Sequence, residues 1–140
     1  MSDRVLVLSK RPGTIKDIHK IDFEIENRTE YLPNMNDNIL FIESYKTSPN
    51  ECQRRFAHLK QYGIFDKING VVIGYNYALQ KDGNTYPQME NILLEYTKEY
   101  KFPIIKCDSF GHKIVNSIIP IGGNVKIENG KVMIEDEFLK

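Results

Sequence analysis

Apolar and polar positions follow two different rhythms along the chain, and the change between them marks out its parts. Arg4-Val-Leu-Val-Leu8 is a compact apolar run of β type, and Arg11-Pro-Gly-Thr14 is a turn signal. Between Ile18 and Ile25, the residues Ile21, Phe23 and Ile25 alternate with Asp22 and Glu24. That period of two predicts a half-buried strand. The polar stretches Glu26–Glu30 and Pro33–Asn38 then break the pattern and read as a junction.

Beyond the junction the period changes. Ile39-Leu-Phe-Ile42 is an uninterrupted apolar run that stops at Glu43, as expected of a strand buried on both faces. Ser48-Pro-Asn-Glu51 predicts a helix start: Ser48 caps free N–H groups, Pro49 needs no donor, and Glu51 closes a capping box. Cys52, Phe56 and Leu59 share one face at helical spacing, and Gly63 suits the position just past the helix end. Gly70-Val-Val-Ile-Gly74 predicts a second buried strand, and Asp82-Gly83-Asn84 a turn. Thr85 to Gln88 repeats the capping pattern ahead of a helix carrying Met89, Ile92, Leu93, Tyr96 and Tyr100, which ends before Pro103. Pro103–Cys107 predicts a third short strand.

The remainder reads as β. Val115–Ile121 is apolar, with Pro120 demoting its end to a sheet edge. Val125 and Ile127 alternate up to Asn129-Gly130, and Val132 and Ile134 alternate away from it. Asn-Gly between two alternating runs is a strong hairpin signal, because both turn residues must accept positive φ. The order predicts an α/β fold: a small, mostly parallel sheet flanked by helices, with an antiparallel portion and a C-terminal hairpin.

Composition narrows the function classes. The chain has 140 residues, 19 basic against 19 acidic, with 41% apolar and 27% charged, the mixture of a soluble globular domain. The balanced charge and the lack of a Lys/Arg block argue against nucleic-acid binding. No run approaches the length of a membrane span, and MSDRVLVLSK lacks the form of a signal peptide. Cys52 and Cys107 form neither a disulfide framework nor a metal motif, and both read as core thiols. The expectation is a cytoplasmic protein with reduced thiols and no metal or cofactor.

Candidate chemistry is sparse. Glu43 lies at the carboxyl end of a strand, where open α/β sheets build ligand sites, although a Glu at a strand exit is ordinarily just solvated. His19 and His58 read as surface residues. His112 follows Phe110-Gly111 in a loop after a buried strand. A Gly there lets the backbone approach closely, and a His with a carboxylate partner makes a general base. No serine has the context of a nucleophile elbow, and Gly122-Gly123 lacks a phosphate-loop pattern.

Several of these pieces occur together in one known order. Thr29-Glu-Tyr-Leu-Pro33, Ile39-Leu-Phe-Ile-Glu43, the helix ending in Gly63, Gly70–Gly74, Phe110-Gly-His112, Asn116 and Pro120-Ile-Gly122 resemble the C-terminal domain of the LD-carboxypeptidases, peptidase family S66. That family includes muropeptide LD-carboxypeptidases and microcin C immunity peptidases. The resemblance implies a swivelling β/β/α-type domain at residues 29–140 and a Ser–His–Glu triad that cleaves an amide at a peptide C-terminus. Glu43 would be its orienting carboxylate and His112 its base. The family's nucleophilic Ser belongs to a separate N-terminal domain, which no segment here resembles, so these residues alone are expected to be inactive. The substrate implied is a peptide or muropeptide, once a nucleophile domain completes the site. The alternative is a non-catalytic binding or oligomerisation module, such as a homodimer. Residues 1–28 instead resemble the tail of an ABC-transporter ATP-binding subunit, without a nucleotide-binding motif.

Overall fold

The computed structural model describes residues 4–8, 15–20, 34–80 and 87–135, and the chain divides into two compact units, Met1–Asn34 and Met35–Lys140. The first contains β1 (Arg4–Leu8) and β2 (Ile15–Lys20), paired antiparallel with an irregularity at Val7/Leu8. The second strand thus starts earlier than its alternation suggests. Ile21, Phe23 and Ile25 lie outside the described residues, as does the turn at Asp82–Asn84.

The second unit carries β3 (Ile39–Ser44), α1 (Pro49–Gln61), β4 (Gly70–Asn76), α2 (Met89–Thr97), β5 (Ile104–Gly111), β6 (Val125–Glu128) and β7 (Lys131–Ile134). Strands β3, β4 and β5 form a parallel sheet in that order, and β6 and β7 form a separate hairpin. This is the α/β arrangement expected. Successive parallel strands laid side by side, joined by crossovers of one hand, bring both helices to the same face. There Cys52 and Phe56 of α1 and Met89, Ile92 and Leu93 of α2 join Val71, Ile73, Phe65 and Leu79 in one core. Burial pushes the Cys52 thiol pKa up, so it behaves as a small apolar side chain. Cys107 is only half-buried and is not part of that core.

The start and end signals of α1 work locally, whereas Thr85, which opens the capping pattern read before α2, lies outside the described residues. The Ser48 Oγ accepts from the Glu51 N–H at 3.3 Å, and Gly63 takes φ +65° just past α1. The capping box is only half used, because the Glu51 carboxylate binds Arg55 at 2.7 Å, one turn along an exposed face. Gln88 is the N-cap of α2, but its side chain donates to the Leu79 carbonyl instead of capping. That helix stops at Thr97, before Tyr100. At the hairpin, Asn129 and Gly130 both take positive φ, 52° and 72°, as an Asn-Gly turn requires.

Three further expectations differ. Ile39–Glu43 is half-buried rather than buried on both faces, because a three-stranded sheet leaves β3 as an edge and only β4 central. β5 runs on to Gly111, through polar Asp108 and Ser109. Val115–Ile121 forms no strand: Val115 is 93% exposed and Ile118 82%, for apolar character alone supplies no ladder partner.

Candidate active site

The three parallel strands end on one edge of the sheet, and the side chains singled out from the sequence meet there. Glu43 is the penultimate residue of β3, and His112 is the first residue after β5. Though 69 positions apart, the His112 Nδ1 lies 2.7 Å from the Glu43 Oε2. An ionised carboxylate offers only lone pairs, so Nδ1 is the donor and Nε2 of the neutral ring is left as the acceptor. This is the tautomer a general base needs.

Two missing side chains make the meeting possible. A Cβ on Gly74 of β4 would come within 2.5 Å of the Phe110 ring and 2.7 Å of the Phe110 carbonyl oxygen. A Cβ on Gly111, where φ is +135°, would come within 2.4 Å of the Tyr75 carbonyl oxygen. Both glycines therefore let β5 press directly on β4. Phe110 is buried and packs against Phe41 of β3 at 5.6 Å between ring centroids, anchoring the residue two before His112.

The loop beyond is tied back to its own start. Asn116 Oδ1 accepts from the Gly111 N–H at 2.6 Å, and Ser117 N–H donates to the Ser109 carbonyl at 2.7 Å. Tyr45, directly after β3, stacks on the imidazole at 4.8 Å with a 24° interplanar angle. Glu43, Phe110, Gly111, His112, Lys113 and Asn116 line an open cavity of about 420 Å³. Chemically, this edge offers a carboxylate-oriented imidazole beside a space for a substrate. Among the described residues no group of three or more His, Cys, Asp or Glu could hold a metal, and no helix is long and apolar enough to cross a membrane.

Comparison with known proteins agrees with the α/β fold. Residues 24–127, well over half of the chain, match the model of the LD-carboxypeptidase C-terminal domain, Peptidase_S66C. The chain belongs to that family. The microcin C7 self-immunity protein MccF of Escherichia coli is 25% identical over 114 residues, covering 79% of this chain and 33% of MccF. The solved structure of MccF in complex with aspartyl sulfamoyl adenosine has the same fold at TM-score 0.69, with 24% identity, covering 79% of this chain and 34% of that one. The muramoyltetrapeptide carboxypeptidase of Oxalobacter formigenes follows at TM-score 0.57 and 23% identity, covering 73% and 37%. The chain spans about a third of the length of the curated relatives it matches.

Several residues that shape this LD-carboxypeptidase C-terminal domain carry no local sequence signal. Tyr45 is one. Asn76, Gln80, Lys106 and Asp108 are others, joined in one polar network in which Gln80 meets Lys106 and Asp108 across 26 and 28 positions. The only hint is Lys106 itself, a charge set between Ile105 and Cys107 in a strand.

Burial pushes the Asp108 carboxyl up, but hydrogen bonds from Lys106 and Gln80, with the Lys106 charge, outweigh it and hold the pKa below the ordinary aspartate value. A carboxylate with a lowered folded pKa stabilises the fold above its unfolded pKa of about 4. That contribution is lost as pH falls through the lowered folded value. Asp108 is 54% exposed, so the effect is small. Urea unfolding should show wild type more stable than Asp108→Asn at about pH 6, with the gap closing toward about pH 3. A gap that stays constant across this range would contradict the assignment.

Proposed function

We propose that residues 29–140 are the C-terminal domain of a serine-type LD-carboxypeptidase and supply the Glu–His part of a Ser–His–Glu triad. The single observation that carries this reading is the 2.7 Å contact between His112 Nδ1 and Glu43. In the reaction, Nε2 takes the proton of a serine hydroxyl as its oxygen attacks the amide carbonyl. The imidazolium then gives that proton to the departing amine. Glu43 holds the ring in the required tautomer and stabilises its charged form. Gln or Ala at position 43 removes that support.

The nucleophile and the oxyanion donors come from another domain, so these 140 residues alone perform no hydrolysis. The substrate is a peptide or muropeptide-like molecule with a free C-terminal carboxylate. The aspartyl sulfamoyl adenosine bound by MccF is likewise a small molecule carrying an amino-acid unit. The chemistry needs no metal or cofactor, because the proton moves between side chains, and the protein is cytoplasmic, without nucleic-acid or membrane partners. Residues 1–28 are an appended segment resembling an ABC-transporter ATP-binding subunit's tail. The compact unit Met1–Asn34 and the family match from residue 24 support a boundary in that region.

The test is release of terminal D-Ala from a muropeptide tetrapeptide. The chain alone should release none. Mixed with the serine-bearing N-terminal domain of a relative, it should release D-Ala, and His112→Ala should lower the rate by about 10⁶-fold. Release that is indifferent to His112→Ala would refute the triad assignment.

The exposed apolar side chains of Val115, Ile118 and Ile121 favour a second reading, a non-catalytic binding or homodimerising module. Self-association lost in Ile118→Ser, together with no hydrolysis beside any nucleophile domain, would select it.

A further inference from the structure

The register between β4 and β5 breaks just before the site. Ile73 pairs with Lys106 and Tyr75 pairs with Gly111, so Gly74 alone faces the four residues Cys107–Phe110. Ordinary ladder bonds cannot hold such a mismatch, because the backbone groups of the longer strand no longer meet partners in step. Side chains take their place. The Lys106 ammonium donates to the Gly74 carbonyl at 2.5 Å and to Gln80 Oε1 at 2.5 Å, and it lies 2.7 Å from Asp108 Oδ1. An ammonium has three N–H donors, and here each has an acceptor. Gln80 Nε2 donates to the same Asp108 oxygen at 3.2 Å.

The network reaches the other strands as well. Asn76, fully buried at the end of β4, donates to the Gly74 carbonyl at 3.0 Å, and its backbone N–H donates to Gln80 Oε1 at 2.7 Å. Ser44 Oγ, next to Glu43, donates to Asn76 Oδ1 at 3.2 Å. The polar groups thus run from the residue beside Glu43, through β4, into the stretch of β5 that leads to His112.

We propose that Lys106 is a positioning residue: with Asn76, Gln80 and Asp108 it clamps the mismatched ends of β4 and β5 and so sets His112 beside Glu43. The clamp rests on the reading of Glu43 and His112 as a working pair, and it adds the group that determines their distance. Lys106 itself touches neither of them. Losing the ammonium leaves the Gly74 carbonyl with one donor fewer and frees Asp108, so the extra residues of β5 can shift and carry Gly111-His112 with them. Arg is a poor substitute, since a planar guanidinium cannot aim three donors in three directions from one nitrogen.

The test reads the imidazole ¹⁵N signals of His112 in the full chain, assigned through His112→Gln, in a double-mutant cycle of Glu43→Gln and Lys106→Met. In the Lys106 protein, Glu43→Gln should shift the Nδ1 and Nε2 signals. In the Lys106→Met background the same change should shift them less than half as far. A purely structural lysine would lower the melting temperature yet leave the Glu43→Gln shift equal in both backgrounds, and that result overturns the clamp alone. If Glu43→Gln shifts nothing even with Lys106 present, the pair itself is refuted and the clamp with it. Should Lys106→Met fail to fold, Gln80→Leu takes its place in the cycle, with the same two outcomes deciding.

Discussion

Replacing Gly74 with Ala is expected to lower the unfolding free energy by about 3 kcal/mol, the upper end of the ordinary cost of overpacking. The added methyl would stand 2.5 Å from the Phe110 ring and 2.7 Å from the Phe110 carbonyl oxygen. A ring can turn aside, but the carbonyl belongs to β5 and moves only if the strand moves. Relief therefore requires β5 to peel from β4 at the point that delivers His112. Gly111→Ala should act in the same direction: its φ of +135° strains any side chain, by about 1–3 kcal/mol, and the methyl meets the Tyr75 carbonyl as well. Urea unfolding measures the loss, and the His112 imidazole signals should lose their dependence on Glu43 in the protein that remains folded. Wild-type stability in Gly74→Ala would mean that β5 does not press on β4 as described.

Phe65→Ala is expected to cost about 3–5 kcal/mol, the range for emptying a buried aromatic site. Phe65 is 1% exposed and sits between Tyr100, edge-on at 5.8 Å, and Phe102 at 6.3 Å. Its removal leaves a cavity that these rings cannot fill without losing their own contacts. Natural domains are stable by only about 5–15 kcal/mol, so one substitution removes a large part of the total. Yet Phe65 lies before β4 begins, and Glu43 and His112 lie where the strands end. Thermal unfolding should thus show a large loss while the folded fraction keeps the Glu43-dependent His112 signal. Gly74→Ala should disturb both. A Phe65→Ala protein of unchanged melting temperature would contradict the core assignment.

The contrast bears on what could be read from residues in order. The Ser48-Pro49 start of α1, Gly63 at its end and the Asn129-Gly130 turn were all legible, because each acts within a few residues of itself. Glu43 and His112 were legible as a strand-end carboxylate and a Gly-preceded His, and the family resemblance joined them. Val115–Ile121 misled, since an apolar stretch does not state whether a strand lies beside it. The run of four apolar residues in β3 suggests burial on both faces, because it does not reveal that the sheet stops there. The passage of β5 through Asp108 and Ser109 ran against polarity, for the partners of that stretch come from Gln80 and Lys106 rather than from apolar neighbours.

The sequence by itself therefore determined the α/β order of elements, the start and end of α1, the Asn129-Gly130 turn and the two residues proposed for the site. Only the tertiary structure decided that these residues touch. Their 69-residue separation closes because β3, β4 and β5 lie parallel in one order and end on one edge. It closes to hydrogen-bonding distance because two absent Cβ atoms let β5 approach β4, and because a lysine from mid-strand holds the mismatch that follows. Short-range preferences cannot encode that distance: it depends on which backbones meet across the sheet and on which polar groups replace the ladder bonds lost between them.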